Sequence, residues 1–445
     1  MFVEVNAVTP KSKTNAIACI DGKSAKWMSH RLFRENNVGH IKFIESDEYP
    51  FDATFWNNAN VNYFMAEMSA RSVNLSFIMS RNVIGTWRNL TFSLSHIPLT
   101  SLEIQLGPDD QMPNFNMLPS TLTELSIVGE TFSTPGALPD TLTSLMFNVN
   151  VPIAPGTLPP RLKRLIFGRA FYQPIADGTF PPTLESVHFG PYFDEPLTST
   201  NLPDSVTDVT LINVRYSHPF SHRACVKLLM QSDATFAPGM VFPNLTQLET
   251  QVSADVLISS TFPALRSLDY HIWNYLEMDY STLPHTLTAL HTHVARPIKS
   301  FPQGLDKLKL RCGSGFRLTN TTLPRSLRSL SLKSYRHPIE ASMLPSTITL
   351  LTTISCESEL DPSTIPQSIH TLTIRFQRSL TDEHMAQVLA TTSLFCINVE
   401  GWREFKIELY RISDTLFLKY DQSILNRVTE CAFIDIDSIM ALFHK

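Results

Sequence analysis

Glycine is scarce in this chain: fifteen residues in 445, against thirty prolines, whereas glycine is ordinarily the commoner of the two at about 7%. Folds built on glycine-rich phosphate loops are not expected, and proline does the punctuation. Charge is sparse as well, 17% of residues where about 25% is usual, so the surface must rely on neutral polar groups. A net charge of −5 with pI near 6.3 leaves no broad Lys/Arg footprint of the kind that holds phosphates, and no nucleic-acid partner is expected. Residues 1–20 have no continuous apolar stretch of signal-peptide type, and nowhere is there a run of roughly eighteen apolar residues, the length that spans a bilayer. An intracellular, cytoplasmic protein without a membrane span is expected. The cysteines, Cys19, Cys225, Cys312, Cys356, Cys396 and Cys431, lie far apart with no C-x-x-C pair. They are too few for a disulfide scaffold and read as reduced and mostly buried. Also absent are G-x-S-x-G, G-x-x-x-x-G-K-[ST], H-E-x-x-H and G-x-G-x-x-G, the commonest local signatures of hydrolases, nucleotide-binding proteins and metalloproteases.

What the chain has in quantity is apolar residues, 43%, and they are periodic. Thirteen prolines, each preceded by an aliphatic residue or Phe, run from Pro98 to Pro366 at spacings of 18–22 residues, broken by one gap of 40 between Pro203 and Pro243. A period in this range signals a solenoid. Most anchors open P-x-x-L-x-x-L-x-[ILF], as in PSTLTELSI from Pro119 and PPRLKRLIF from Pro159. The last two apolar residues, two apart, point to one face of a short strand and the residue between them to the other. Strands stacked about 4.8 Å apart turn these positions into continuous ridges that no single repeat could bury alone. The expected fold class is a mainly β repeat solenoid, a leucine-rich-repeat-like stack of 20–22-residue coils with one short strand each and few helices.

Many units carry a second apolar mark farther on: Phe171 with Gln173, Pro174 and Ile175; Phe193 with Glu195, Pro196 and Leu197; Tyr335 with His337, Pro338 and Ile339. With these residues the chain resembles the FNIP repeat, a leucine-rich-repeat relative found in many copies in social amoebae and in some giant viruses that infect amoebae. The pattern LP-x-x-L-x-x-L-x-F-G followed by F-x-Q-P-I is nearly met from Leu158 to Ile175, and the resemblance covers roughly residues 97–377. It implies a leucine-rich-repeat-like solenoid and little about activity. Some relatives join such repeats to an F-box that recruits ubiquitin-ligase machinery, but residues 1–96 lack its opening Leu-Pro and the aliphatic helical pattern that follows.

The chain reads as three parts: an N-terminal cap with degenerate coils over 1–96, the solenoid over 97–377, and a C-terminal cap over 378–445. Faint repeat echoes, NLSF from Asn74 and NLTFSL from Asn89, mark the first cap. In the last, TDEHMAQVLATT from Thr381 predicts a helix, and LFCINV from Leu394 and TLFLKY from Thr415 predict degenerate coils. The lost anchor coincides with residues 218–241, where Val226, Leu229 and Met230 fit one helical face, so a helical insertion is expected there.

Outward strand positions would line the sheet surface, the usual binding face of a solenoid. The candidate protein-binding residues on it are Lys163, Arg164, His188, Glu249, Asp269, His291, Lys307, Lys309 and Arg328. Thr recurs beside the strands, at Thr121, Thr141, Thr286 and Thr347 among others, and strand propensity explains this better than an ice-ordering ladder. His291 and His293, with His285 nearby, have no Cys or carboxylate to complete a metal shell,. No metal, cofactor or catalytic residue is expected. The sequence thus points to a non-catalytic protein-interaction or scaffolding solenoid whose partners are other proteins. The alternatives are a structural subunit of a larger assembly such as a giant-virus particle, with virion localisation, and a ubiquitin-ligase substrate receptor.

Overall fold

A computed structural model describes residues 19–20, 40–44, 66, 74–79, 98–105, 118–129, 138–232, 236–252, 256–270, 280–298, 300–319, 321–354, 365–375, 382–400, 406–422 and 429–443. The chain divides into two compact units, residues 1–240 and 241–445. The first unit holds β1 (Cys19–Ile20), β2 (His40–Ile44), β3 (Asn74–Met79), β4 (Ser101–Gln105), β5 (Glu124–Val128), β6 (Ser144–Asn148), β7 (Arg164–Phe167), β8 (Ser186–Phe189), β9 (Asp208–Leu211) and β10 (Lys227–Met230). Each pairs in parallel with the next. The second unit holds β11 (Gln247–Thr250), β12 (Ser267–Tyr270), β13 (Ala289–Val294), β14 (Lys307–Cys312), β15 (Ser329–Lys333), β16 (Leu350–Ile354), β17 (Thr371–Arg375) and β18 (Cys396–Glu400), again parallel neighbour to neighbour. One short strand per coil is the solenoid that the proline period predicts.

The anchor motif has a local cause. In coil after coil the amide three residues past the proline donates to the proline's own carbonyl at 2.9–3.4 Å, from Leu122 on Pro119 to Ile369 on Pro366. This closes a tight turn, and a ring without an N–H begins it at no loss of a ladder bond. The next two amides then share one carbonyl of the preceding coil, as Lys163 and Arg164 do on Thr143 at 2.9 and 3.0 Å. Strand residues that follow align in register, so Leu145, Leu165 and Val187 form one buried row and Ile127 and Phe147 part of the next.

The recurrent Thr has a more specific role than strand propensity. Two residues past the anchor it sits in the turn, and its hydroxyl donates to the carbonyl of the first ridge residue one coil back: Thr141 to Leu122, Thr286 to Leu265 and Thr347 to Leu327, each at 2.7 Å. Ser326 does the same to Leu305 at 2.6 Å, whereas Ser205 and Ser368 at this position have no partner among the described residues. The hydroxyl therefore stitches neighbouring coils at a carbonyl next to the core. Thr286→Val keeps the shape and removes the bond, and is expected to lower stability by about 1 kcal/mol, read as a smaller urea midpoint with an unchanged slope.

The second apolar mark of each repeat fills the rest of the coil. Phe171 stacks on Phe167 at 4.0 Å and Phe193 on Phe189 at 4.2 Å, while Phe167 and Phe189 stack between coils at 5.3 Å. Where Tyr replaces Phe, the hydroxyl finds a backbone donor: the Leu318 amide donates to Tyr335 at 3.0 Å and the Leu197 amide to Tyr216 at 3.2 Å. Burial pushes the Tyr216 phenol up to about 12. The glycine after the strand is a matter of space, because a Cβ on Gly190 would collide with the Gly168 carbonyl of the coil before.

The described residues of this stretch, 218–232 and 236–241, do not form the expected helix; they carry strand β10, which pairs with β9, Leu228 opposite Val209 and Met230 opposite Leu211. His222, Cys225, Leu228 and Met230 repeat the P-x-x-L-x-x-L-x-F spacing with histidine in the anchor's place, and all four are buried. Val226, read as part of a helical face, points outward and is exposed, and Leu229 is half-buried. Strand period therefore overrides the helical fit of these residues.

The C-terminal segment also departs from expectation. The predicted helix is present as α1 (Asp382–Ala390), and β18 continues the parallel ladder. After it, β19 (Lys406–Arg411), β20 (Leu416–Gln422) and β21 (Thr429–Asp435) run antiparallel and lead into α2 (Ile436–Phe443), so TLFLKY belongs to a meander and not to a coil. Connection length explains this. Residues 412–415 between β19 and β20 can turn a hairpin, as Ile412 does by donating to the Leu416 carbonyl at 2.9 Å, whereas a parallel return needs about a dozen residues.

Candidate protein-binding face

Alternation puts every second strand residue in the core and the others on one outward face in each unit,. In the first unit this face carries Lys163, Arg164 and His188. Lys163 lies beside Glu185 of the next coil, Nζ to Oε1 2.9 Å, an exposed pair of little energetic weight. Arg164 is exposed between Ser144 and Ser186, its register neighbours. His188 is half-buried beside Ile166 and Thr210, and burial holds its imidazole below the ordinary range. Farther on, Lys227 faces Asp208 at 3.4 Å. Lys163 and Lys227 thus each face an anion one coil away.

In the second unit one row reads Glu249, Asp269, His291, Lys309 and Ser331 across β11 to β15. Glu249 directly opposes Asp269, and the His291 ring nitrogen Nδ1 lies 2.9 Å from Asp269 Oδ2. Lys307 and Lys309 are exposed on β14, and Arg328 approaches Asp306 at 3.6 Å. His293 shares the outward face with His291, while His285 is apart from them, its Nδ1 3.2 Å from the Ser259 hydroxyl. Among the described residues no three His, Cys, Asp or Glu side chains are placed to hold one metal ion, and no helix is long and apolar enough to cross a membrane. Sequence reasoning missed Arg311 and Lys333, which extend the same face. Their signal is the length of KLKLRC and SLSLK, one alternation beyond the core motif.

His222 at the vacant anchor position carries a second, structural chemistry. Its Nε2 donates to the Val206 carbonyl at 2.7 Å, the acceptor that a Thr hydroxyl serves in other coils. The ring is fully buried, Nδ1 has no partner among the described residues, and burial holds the imidazole below its ordinary pKa of 6.5. In the unfolded chain this histidine takes a proton as the pH falls through 6.5, while the folded one resists. Its stabilisation is therefore complete above that pH and is lost progressively below it. A lower thermal midpoint at about pH 5.5 than at pH 7.5 is expected, and His222→Gln should shrink that difference.

A parallel ladder of single strands with a leucine-ridge core defines a leucine-rich-repeat-like solenoid, and comparison with known proteins agrees. The model of the FNIP Repeat matches residues 132–170, 147–191, 171–214 and 317–355, so repeats of this kind occur in each unit. Among solved structures it is similar to CroV588, a circular leucine-rich-repeat protein, with TM-score 0.54 and 17% identity over 88% of this chain and 60% of that one. The chain thus spans about 60% of that protein's length, and the likeness is one of fold. YopM from Yersinia enterocolitica WA-314 is similar at TM-score 0.33 and 17% identity, over 63% of this chain and 74% of that one. No curated protein matches the sequence.

Proposed function

We propose that the protein is a non-catalytic recognition or scaffolding solenoid that holds other proteins on its outward strand face. The supporting observation is the division of labour in strands such as β7, β10 and β14: apolar residues are consumed by the core, and exposed alternates carry charge. Such a face is broad, fixed by the backbone ladder and variable residue by residue without cost to the core, which suits protein contact better than a reaction centre. Chemical cross-linking of the protein with its partners in native extracts, read by mass spectrometry, tests this. Cross-links from Lys163, Lys307 or Lys309 are expected. Cross-links confined to lysines off the strand face would refute the reading.

A second reading, a permanent subunit of a larger assembly such as a virus particle, is favoured by one group of residues. Phe395, Ile412 and Phe433 around the antiparallel meander are exposed, Phe433 by 69%, more than a free surface needs and suited to burial against a neighbouring subunit. Fixed-ratio recovery with other structural proteins, with Phe433 protected from oxidative footprinting, would favour it over transient recognition.

A further inference from the structure

The antiparallel meander ends on a strand that is open on both faces. β21 pairs with β20 from Leu416 opposite Asp435 to Gln422 opposite Thr429, and among the described residues it pairs with no other strand. Strands such as β7 and β14 bury every second residue. In β21, by contrast, the consecutive residues Cys431, Ala432 and Phe433 are all exposed, and Phe433 is the most exposed large apolar side chain among the described residues. Sheet edges are ordinarily blunted by short strands, Pro, Lys or a bulge. β21 has seven residues, as many as any described strand, its sequence TECAFID contains neither Pro nor Lys, and its pairing with β20 runs without a bulge. An edge left in this state is one that the protein's working form covers.

We infer that β21 pairs edge to edge with β21 of a second copy, antiparallel about a two-fold axis, so that the two meanders form one continuous sheet. The inference rests on the reading of the protein as a subunit of a larger assembly and names the neighbour. A two-fold axis through Ala432 gives every residue of β21 a partner, whereas moving the axis by one residue leaves residues at one end without one. About this axis Cys431 opposes Phe433 of the second copy, Glu430 opposes Ile434 and Thr429 opposes Asp435. Two like charges directly opposite, which destabilise a sheet, therefore do not arise. The outward face gains most. Leu418 lies beside Phe433 and Tyr420 beside Cys431, so each of two rows across the joint runs Leu418, Phe433, then Cys431 and Tyr420 of the second copy. Two half-patches become one apolar band. A strand of another protein satisfies the same backbone groups but does not, by symmetry alone, complete both rows. The closed pairing also uses up the edge in both copies, so growth stops at the dimer.

The test is sedimentation velocity of the whole protein over a range of micromolar concentrations. A species of about twice the chain's 50.2 kDa is expected. Phe433→Lys, with its melt checked to show an intact fold, should weaken the dimer tenfold or more, while Tyr172→Lys, at an exposed aromatic of the first unit, should leave it unchanged. Thiol cross-linking reads the register. Wild-type Cys431 side chains of the two copies lie on a diagonal, beyond disulfide reach, and the same holds for the thiols of C431S/F433C. Neither protein alone is expected to cross-link on mild oxidation, but an equimolar mixture is, because only there does a thiol at 431 face a thiol at 433. A wild type that stays monomeric, a dimer that withstands Phe433→Lys in a folded variant, or a mixture that links no better than its components would each overturn the inference. If the wild type is monomeric while native preparations recover it in fixed ratio with other structural proteins and with Phe433 protected, self-pairing is lost and the assembly reading stands.

Discussion

Leu165→Asp is expected to abolish cooperative folding of the coils around β7, at a cost above about 4 kcal/mol. Leu165 is fully buried, in register with Leu145 on one side and Val187 on the other. A carboxylate there would have neither water nor a cation, and it would separate the ridge that three coils share. In a solenoid each coil is held mainly by its neighbours, so the loss spreads along the ladder. Ile166→Asp, one residue on and outward, is the matched control and is expected to change stability little. Circular dichroism melting and hydrogen exchange across residues 138–211 read both variants. An unchanged melt for Leu165→Asp, or equal loss in the two, would refute the assignment of inward and outward positions.

Arg411→Ala is expected to loosen the C-terminal segment by about 3 kcal/mol, since several charge-assisted bonds to backbone are lost together. The guanidinium donates to the carbonyls of Leu389, Thr391, Leu394 and Asp414, the first three at and just beyond the end of α1, and it lies over the Phe417 ring at 4.7 Å. The Leu389 and Thr391 carbonyls at the helix end have no onward helical turn to donate to them, and a cation at a helix C-terminus also interacts favourably with its dipole,. Arg411→Lys keeps the charge but not the planar fork, and should fall between wild type and alanine. Limited proteolysis within residues 382–422, with exchange rates for the β18–β20 amides, checks the prediction. Rates equal to wild type in the alanine variant would show that the meander holds without this clamp.

Much of this was readable from residue spacing because a coil is a short, self-repeating object. Pro159, Leu162, Leu165 and Phe167 each have one place in the coil, and the same three spacings recur until neighbours must stack. The coil at His222 is not legible in the sequence, for a physical reason. Val226, Leu229 and Met230 satisfy a helical period by chance, and only the ladder shows that Cys225, Leu228 and Met230 already satisfy the coil's. The recurrent Thr was likewise assigned to propensity, because a hydroxyl bond to a carbonyl some twenty residues back, 21 from Thr286 to Leu265, leaves no local trace.

The candidate face divides along the same line. Which residues point outward follows from alternation alone, so Lys163, Arg164, Lys307, Lys309 and Arg328 could be named from the sequence. Their electrostatic character could not, because it depends on register between strands: Lys163 meets Glu185 and Arg328 meets Asp306, whereas Lys309 meets His291 and Ser331. The sequence determined the coil, its core and its outward positions, all consequences of chemistry within a single repeat. Only the tertiary structure decided the charge pairing across coils and the antiparallel turn of β19 to β21, since both depend on what lies beside a strand in space and on how much chain is available to return.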